Sequence, residues 1–317
     1  MTAARRIAVI GAGSIGAAWA IVFARGGCAV RLQDPDPARR AAVPGEIAAK
    51  LGALRRGGLL NEPPGEIAAR VNIAEGLAEA LEGAEHVQEN APESVEAKRA
   101  LFAEFARLAP PDAVLASSSS FIPASRFAPE EARGRCLVAH PGNPPFLIPV
   151  VEIVPSPGTN EDAVRRTDAL MRACGMTPVR VCKEVEGFVF NRLQGAMLRE
   201  AYCLVRDGVI GANELDDVVR LGLGLRWSVI GPFETSDLNT RGGIAAHAER
   251  MGPSYARMGA ERGQSDPWTP ELIAQVTAER RAALPLERWE ERVAWRDDAL
   301  IRMAAAQQIL PLFGGAE

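Results

Sequence analysis

A glycine pattern near the start of the chain places the strongest constraint on its fold. Residues 6–10 form a short apolar run that ends at Gly11, and Gly13 and Gly16 complete a G-x-G-x-x-G spacing. Asp34 follows 18 residues after Gly16. The pattern predicts a strand, a tight turn, a helix and a second strand. Such a unit requires a parallel sheet with a right-handed crossover.

The residues of this pattern have the properties needed to bind a dinucleotide. Gly11 permits the tight turn, Gly13 lets the backbone approach a pyrophosphate, and Gly16 allows the helix to pack closely on the strand. The amino end of the helix faces the phosphates. The Asp34 carboxylate accepts a hydrogen bond from a ribose 2′-hydroxyl and repels a 2′-phosphate, which predicts NAD as the cofactor. The predicted cofactor-binding residues here are Gly11, Gly13, Ser14, Ile15, Gly16 and Asp34.

Two alternatives to this interpretation stay open. A glycine-rich turn also occurs in folds that bind other ligands. In addition, Arg31, Arg39 and Arg40 lie near the aspartate in sequence. Arginine is the residue that accommodates a 2′-phosphate, so these three positions keep NADP open as the cofactor.

Composition excludes several classes of protein. The chain has three histidines and five scattered cysteines without C-x-x-C spacing, which predicts reduced thiols and no metal site. A formal net charge of −4 gives no general attraction to nucleic acid or to an anionic membrane. No apolar run reaches the roughly 18 residues that span a bilayer. We therefore expect a cytoplasmic protein with a small-molecule substrate.

The hydrophobic pattern divides the chain into two domains. Strand-like and helix-like segments alternate over the first 180 or so residues, with helices expected at 38–60, 75–82 and 93–108. This alternation predicts a Rossmann-type doubly wound α/β domain with a parallel sheet. Strand signals end near residue 187, and the rest of the chain has a helical pattern. We predict an NAD-binding domain over 1–186 and an all-α domain over 187–317.

One histidine stands out as a candidate for proton transfer. His140 ends a predicted strand and is followed by a proline-rich loop, and Glu152 comes 12 residues later on the next strand. Histidine exchanges a proton most readily near neutral pH, and a carboxylate on one ring nitrogen would hold the ring and stabilise its charged form. His86 starts a strand and His247 lies in a predicted exposed helix. A single histidine is more often structural, but the loop and Glu152 favour His140.

Several motifs, taken together and in order, resemble the L-3-hydroxyacyl-CoA dehydrogenase superfamily over essentially the whole chain. Within it, the sequence is most similar to the lambda-crystallin / L-gulonate 3-dehydrogenase branch, through Gly222–Trp227, Ile230–Thr235 and Trp295-Arg-Asp297. The motifs shared with the superfamily are Gly11–Gly16, Ser117–Ser120, His140-Pro-x-Asn-Pro-Pro, Glu152 and Gly187-Phe-Val-Phe-Asn191-Arg192.

The resemblance implies an NAD-dependent oxidation of a 3-hydroxyl group to a 3-keto group. It assigns His140 as the general base that removes the hydroxyl proton, with Glu152 paired to its imidazole. It assigns Ser119 and Asn191 to hydrogen bonds with the substrate oxygen. An alternative for Ser119 is a serine-rich turn that caps a helix.

The resemblance also implies cofactor contacts from Glu93 and Lys98. Without the family, a solvated pair on a helix would be the preferred interpretation of these two residues. Acyl-CoA members usually carry asparagine where this chain has Ser117, so no contact is assigned to Ser117.

The substrate depends on Arg226, where acyl-CoA dehydrogenases usually carry an uncharged residue. An arginine in a glycine-rich turn beside the pocket would bind a substrate carboxylate, which L-gulonate has and an acyl-CoA lacks. An exposed arginine without a role is the alternative. The first reading is therefore an L-gulonate 3-dehydrogenase-like enzyme acting on a free 3-hydroxy acid. A 3-hydroxybutyryl-CoA or carnitine dehydrogenase is the second, and a non-enzymatic NAD-binding protein the third.

Family members pair through the second domain, and we expect a homodimer on that basis. The apolar residues after Gly187 would serve a core within one chain equally well.

Overall fold

The chain divides into two compact units. The computed structural model describes residues 4–228, 231–239 and 243–262, together with scattered positions between 271 and 305. The first unit comprises the described residues up to Arg192 and those from Trp295 onward, and the second runs from Leu193 to Ala294. Ile230, residues 296–297 and residues 306–317, on which some of the motifs and helix predictions fall, lie outside the described residues.

The far end of the chain contributes to the first unit. Ile301 is buried, and a Cβ placed on Gly57 would lie 1.7 Å from its Cγ2 atom. Position 301 was predicted to belong to the second domain, because sequence order gives no sign that the chain returns. The boundary predicted between residues 186 and 187 stays a prediction.

An eight-stranded sheet forms the centre of the first unit. Its strands are β1 (Arg6–Ile10), β2 (Ala29–Gln33), β3 (Val71–Ala74), β4 (His86–Glu89), β5 (Val114–Ser117), β6 (Cys136–Pro141), β7 (Val150–Pro155) and β8 (Thr177–Arg180). They lie in the order β3-β2-β1-β4-β5-β6-β7-β8. The order reverses between β1 and β4, which is where doubly wound sheets bind their ligands. The predicted α/β fold class is confirmed.

One pair of strands departs from the predicted parallel arrangement. Strands β6 and β7 are antiparallel, and His140 lies directly opposite Glu152 in their register. A parallel connection needs a crossover of about a dozen residues or more, whereas the segment 142–149 is shorter than that. The direct return sets the histidine and the glutamate side by side.

Helices cover both faces of the sheet. Along β1, Ile7 and Val9 belong to one buried apolar cluster and Ala8 and Ile10 to the other, because successive side chains of a strand point to opposite faces. The helices of the first unit are α1 (Ser14–Arg25), α2 (Pro37–Arg56), α3 (Pro64–Ala68), α4 (Leu77–Leu81), α5 (Val95–Leu108) and α6 (Glu161–Ala173), and α7 (Phe190–Arg206) starts in it.

Some predicted helix limits were wrong, and the structure supplies the reasons. Helix α2 ends at Arg56 because Gly57 and Gly58 follow, and Gly58 has φ +74°. Helix α5 begins at Val95 because the Ser94 hydroxyl caps it by accepting the Ala97 N–H at 3.3 Å. Glu93 therefore precedes the helix.

Helices form the described part of the second unit. After α7 come α8 (Ala212–Asp217), a π-helical segment (Val218–Leu223), α9 (Gly224–Trp227), α10 (Pro232–Asn239) and α11 (Gly243–Arg262). The stretch around Arg226, predicted to be a glycine-rich turn, is instead helical. A Cβ on Gly224 would lie 2.9 Å from the Val219 carbonyl oxygen, so glycine suits the widened π turn. Among the described residues, no helix has the length and apolarity to cross a membrane.

Candidate active site

The glycine-rich loop between β1 and α1 has the shape that the sequence predicted. Gly11 has φ +94°, and a Cβ there would lie 2.7 Å from the Asn90 carbonyl oxygen. A Cβ on Gly16 would lie 1.7 Å from the Gly11 oxygen. Both positions therefore require glycine, one for conformation and space and the other for the close approach of helix to strand.

The other side of this loop is open. A Cβ on Gly13 would meet no atom within 4 Å, and Gly13 precedes the first residue of α1, Ser14, without a side-chain cap. Free N–H groups at the amino end of a 12-residue helix bind phosphate oxygens. Gly13, Ser14 and Ile15 therefore fit the pyrophosphate of a dinucleotide.

Asp34 lies just beyond β2 and beside the loop. Its Oδ2 atom accepts the Ala12 N–H at 2.7 Å, and its Oδ1 atom accepts the Asp36 N–H at 2.9 Å. These two bonds hold the carboxylate at the carboxyl edge of the sheet, where a ribose hydroxyl could donate to a remaining lone pair. The N–H donors of the loop fit the pyrophosphate of NAD, and the Asp34 acceptor fits its ribose hydroxyl.

His140 and Glu152 form a hydrogen-bonded pair. The His140 Nδ1 atom lies 2.8 Å from Glu152 Oε2, and both side chains are buried. Because a carboxylate oxygen accepts, Nδ1 carries the proton and donates it to Glu152. In the neutral ring, the second nitrogen, Nε2, is then the acceptor that a general base requires.

The other oxygen of Glu152 binds the amino end of a helix. Glu152 Oε1 accepts the N–H groups of Val189 at 2.7 Å and Phe190 at 3.0 Å, at the start of α7. The helix dipole and these N–H groups stabilise the charged carboxylate. Phe188, buried just before them, has φ +49°, a conformation that L-residues adopt at some energetic cost.

Ser119 belongs to a loop that one carboxylate organises. Its hydroxyl donates to Glu93 Oε1 at 2.6 Å, and the same oxygen accepts N–H groups of the next three residues, at 2.9–3.3 Å. Burial raises the pKa of Glu93, but the bonds from Ser119, Phe121 and Ile122 and the charge of Lys98 together hold it below its usual value. Glu93 thus positions Ser119. The Ser119 hydroxyl would donate a hydrogen bond to a substrate oxygen only after releasing its bond to Glu93.

Lys98 lies behind this loop, buried with Glu89 and Ser117. Its ammonium donates to both oxygens of Glu89 at 2.9 and 3.0 Å and lies 3.6 Å from Glu93 Oε2. The Lys98 side chain is 1% exposed, which rules out the interpretation of a solvated helical pair. A direct contact between Lys98 and the cofactor stays a prediction, because the ammonium faces carboxylates of its own chain.

Asn191 joins the serine loop to the catalytic pair. Its Nδ2 atom donates to the Ser120 carbonyl oxygen at 3.0 Å, one residue after Phe190, whose N–H binds Glu152. The structure therefore connects the loop of Ser119 with His140 through Asn191 and Glu152. Arg226 lies in the second unit, on α9, with an exposed side chain.

Glu89 and Asn90 were not singled out from the sequence. Glu89 is fully buried, and Asn90 Nδ2 donates to the carbonyl oxygens of Ile10 and Gln88 at 3.2 and 2.9 Å. Glu89 ends β4, which neighbours β1, and Asn90 follows it directly; this position at a strand end is the available sequence signal. Polar residues at the carboxyl ends of adjacent parallel strands meet at one edge of the sheet.

The other two histidines lie elsewhere. His86 is buried in β4 with Nε2 3.1 Å from Gln88 Oε1, and burial lowers its pKa to about 4. It therefore stays neutral near pH 7. His247, predicted to be exposed, is half-buried on α11, where its ring centroid lies 6.3 Å from that of Tyr255.

Comparison with known proteins identifies the family. Residues 6–185 match the 3-hydroxyacyl-CoA dehydrogenase NAD binding domain, and residues 187–283 match the C-terminal domain of the same family. The chain belongs to the 3-hydroxyacyl-CoA dehydrogenase family. The predicted resemblance is confirmed, and the chain is an oxidoreductase that uses NAD.

Relatives cover nearly the whole chain. It is 39% identical to a lambda-crystallin homolog of Bos taurus, over 96% of each chain. It is 35% identical to an L-carnitine dehydrogenase of Pseudomonas aeruginosa, over 96% of this chain and 95% of that one. A solved structure of 5-formyl-3-hydroxy-2-methylpyridine 4-carboxylic acid 5-dehydrogenase, an NAD+-dependent dismutase, superimposes with a TM-score of 0.82 at 27% identity, covering 99% of this chain and 100% of that one.

Replacing Lys98 by methionine tests the buried network. We expect a loss of about 3–5 kcal/mol in the free energy of unfolding, measured with urea, because Glu89 would keep a buried charge without a partner. Arg107→Met, which breaks the exposed pair with Glu104, is the control and should leave the free energy of unfolding nearly unchanged. Lys98→Met with Glu89→Leu should recover most of the loss. A single-variant loss as small as that of the control would contradict the role of this pair.

Proposed function

We propose that this enzyme oxidises the 3-hydroxyl group of a small free hydroxy acid. L-gulonate, giving 3-dehydro-L-gulonate, is the first candidate, as the branch resemblance implies. The observation that carries the chemistry is the His140–Glu152 pair, with Nδ1 and Oε2 2.8 Å apart and the carboxylate bound to the start of α7.

This pair supplies the proton chemistry. In the proposal, His140 Nε2 removes the proton of the substrate hydroxyl while Nδ1 keeps its bond to Glu152. The imidazole becomes positively charged, and the carboxylate beside it stabilises that charge. When bound, NAD would accept the hydride that leaves the substrate carbon bearing this hydroxyl. In the reverse direction, the charged His140 returns its proton to the oxygen.

Ser119 and Asn191 are proposed to orient the substrate oxygen. A hydroxyl and an amide N–H both donate, and donors aimed at an oxygen that gains charge lower the barrier. One amide N–H of Asn191 binds the Ser120 carbonyl and leaves the second for the substrate, whereas the Ser119 hydroxyl donates to the substrate oxygen only when it releases Glu93. Oxygen positioning and base positioning therefore share one connected set of hydrogen bonds.

Arg226 supports a free acid as the substrate. Its side chain is exposed, no hydrogen bond or ion pair joins its guanidinium to another of the described residues, and the planar fork of donors suits a carboxylate. Two of the proteins that this chain resembles are named for small molecules that carry a carboxylate. They are the pyridine carboxylic acid dehydrogenase and the L-carnitine dehydrogenase. The second candidate substrate is accordingly L-carnitine, and a 3-hydroxyacyl-CoA is the third.

A substrate comparison tests the proposal. NADH formation with L-gulonate, 3-hydroxybutyrate, L-carnitine and 3-hydroxybutyryl-CoA should give the highest kcat/KM with a free acid. His140→Ala should lower turnover by about 10²–10⁴-fold while NADH still binds, because only the proton transfer is removed. Higher kcat/KM with the acyl-CoA would exclude the free-acid proposal. Full activity of His140→Ala would exclude the assigned base.

Arg226→Met tests carboxylate recognition. We expect kcat/KM for the free acid to fall about tenfold or more, the equivalent of one charge-assisted hydrogen bond, with acyl-CoA turnover unchanged. Arg220→Met is a matched control, since Arg220 lies one turn or so earlier and pairs with Asp217. Retained activity of Arg226→Met on the free acid would remove the argument for that substrate class.

The second unit is the proposed dimer interface. Its described helices and turns expose large apolar side chains, which a second copy would cover. Sedimentation velocity should give the mass of a dimer, and Phe233→Asp should shift it toward the monomer; a monomeric parent protein would contradict the proposal. The most exposed of these apolar side chains are Leu193, Val209, Val218, Leu221, Leu225 and Phe233, between 57% and 79% accessible.

The cytoplasm is the proposed compartment, since all five cysteines are free, and cell fractionation tests it.

A further inference from the structure

Arg39, one of the three arginines that keep NADP open as the cofactor, forms hydrogen bonds within its own chain. Arg39 lies in the first turn of α2, and one Nη2 bond reaches the Ala12 carbonyl oxygen at 2.7 Å. The guanidinium also forms a two-point pair with Glu46, Nη1 to Oε1 at 2.8 Å and Nη2 to Oε2 at 3.1 Å. Arg39 thus links helix α2 to the glycine-rich loop.

Both backbone polar groups of Ala12, its N–H and its carbonyl oxygen, form hydrogen bonds with side chains. Its N–H donates to Asp34, and its carbonyl oxygen accepts from Arg39. The peptide bond that follows is planar and trans, so the Gly13 N–H points away from the carbonyl that Arg39 binds. Arg39 therefore sets the direction of the N–H at the open, phosphate-facing position of the loop.

The Arg39 guanidinium also lies close enough to Asp34, the acid predicted to bind the ribose hydroxyl, to interact with its charge. Asp34 and Arg39 contact the same residue, Ala12, and the Asp34 charge adds to that of Glu46 in raising the pKa of Arg39. A free arginine at this point would attract a 2′-phosphate. Glu46 instead occupies both terminal nitrogens and neutralises the charge.

We propose that Arg39 and Glu46 form a positioning and specificity pair for the cofactor. Arg39 holds the Ala12 carbonyl, and Glu46 withholds Arg39 from a 2′-phosphate, so the loop binds NAD in preference to NADP. The inference rests on NAD binding and is independent of the proposed substrate.

The pair is suited to mutation because it lies at the surface. The Arg39 and Glu46 side chains are 35% and 39% exposed. Exposed pairs of this kind contribute little to folding stability, so the variants are expected to fold. Arg172→Ala is the matched control, since it breaks an exposed two-point pair with Asp168 on α6.

Direct titration of NADH and NADPH fluorescence tests the proposal without any substrate. Arg39→Ala should weaken NADH binding about threefold to tenfold, the effect of one charge-assisted hydrogen bond, and should not improve NADPH binding. Glu46→Gln removes the negative charge that neutralises the guanidinium and should raise NADPH affinity relative to NADH about tenfold. Adding Arg39→Ala to Glu46→Gln should remove that gain. Asp34→Ala, which lacks the ribose acceptor, serves as the positive control for lost NADH affinity.

Two outcomes would overturn the proposal. One is an unchanged ratio of NADPH to NADH affinity in Glu46→Gln, which a purely structural role would also give. The other is NADH affinity of Arg39→Ala within the range of the Arg172→Ala control. Should Arg39→Ala fail to fold by circular dichroism, Arg39→Lys keeps the charge but loses the two-point geometry, and the same NADH loss is expected. Failure of the substrate proposal would leave these binding ratios untouched.

Discussion

The carboxylate of Glu152 is the interaction on which the site depends. One oxygen fixes the tautomer of His140, and the other binds the first N–H groups of α7. A buried carboxylate is costly unless its lone pairs are used, and here hydrogen bonds on both oxygens compensate for burial. Because α7 also carries Asn191, the same contact sets the distance between the base and one of the donors proposed for the substrate oxygen. A change at Glu152 would therefore disturb proton transfer and substrate orientation together.

Much of the fold and part of the site followed from the sequence. The glycine spacing with Asp34 predicts the first βαβ unit, because Gly11 and Gly16 each meet a local steric requirement that the structure contains, while Gly13 leaves the loop open. The pairing of His140 with Glu152 was also predictable, since both residues end or begin neighbouring strands. The antiparallel return was missed, although the short segment between the two strands excludes a crossover. Its length alone should have indicated a direct pair.

Other features of the structure depend on contacts that sequence spacing does not encode. Lys98 and Glu93 are five positions apart, a spacing that suggests a surface pair, yet Lys98 on α5 is buried in an ion pair with Glu89 at the end of β4. The π-helical turn before Arg226 depends on how a backbone widens around glycine, and a glycine-rich stretch equally predicts a loop. Ile301 joins the first unit although it lies far along the chain. Only for Ile301 is the deciding partner, Gly57, distant in sequence; Lys98 and the π turn depend on three-dimensional packing of residues that lie within ten positions of each other.

A common device links the loops of this site. Asp34, Glu93 and Glu152 each accept two or more backbone N–H groups from a loop or helix start at the carboxyl edge of the sheet. These bonds order segments that lack strand or helix bonds of their own, and they add little to the apolar core on either face of the sheet. Loss of one such carboxylate should loosen its loop while the sheet persists, so binding and turnover are separable from folding. Glu89 differs because the buried ammonium of Lys98 balances its charge. Loss of this ion pair should therefore lower the free energy of unfolding of the whole unit.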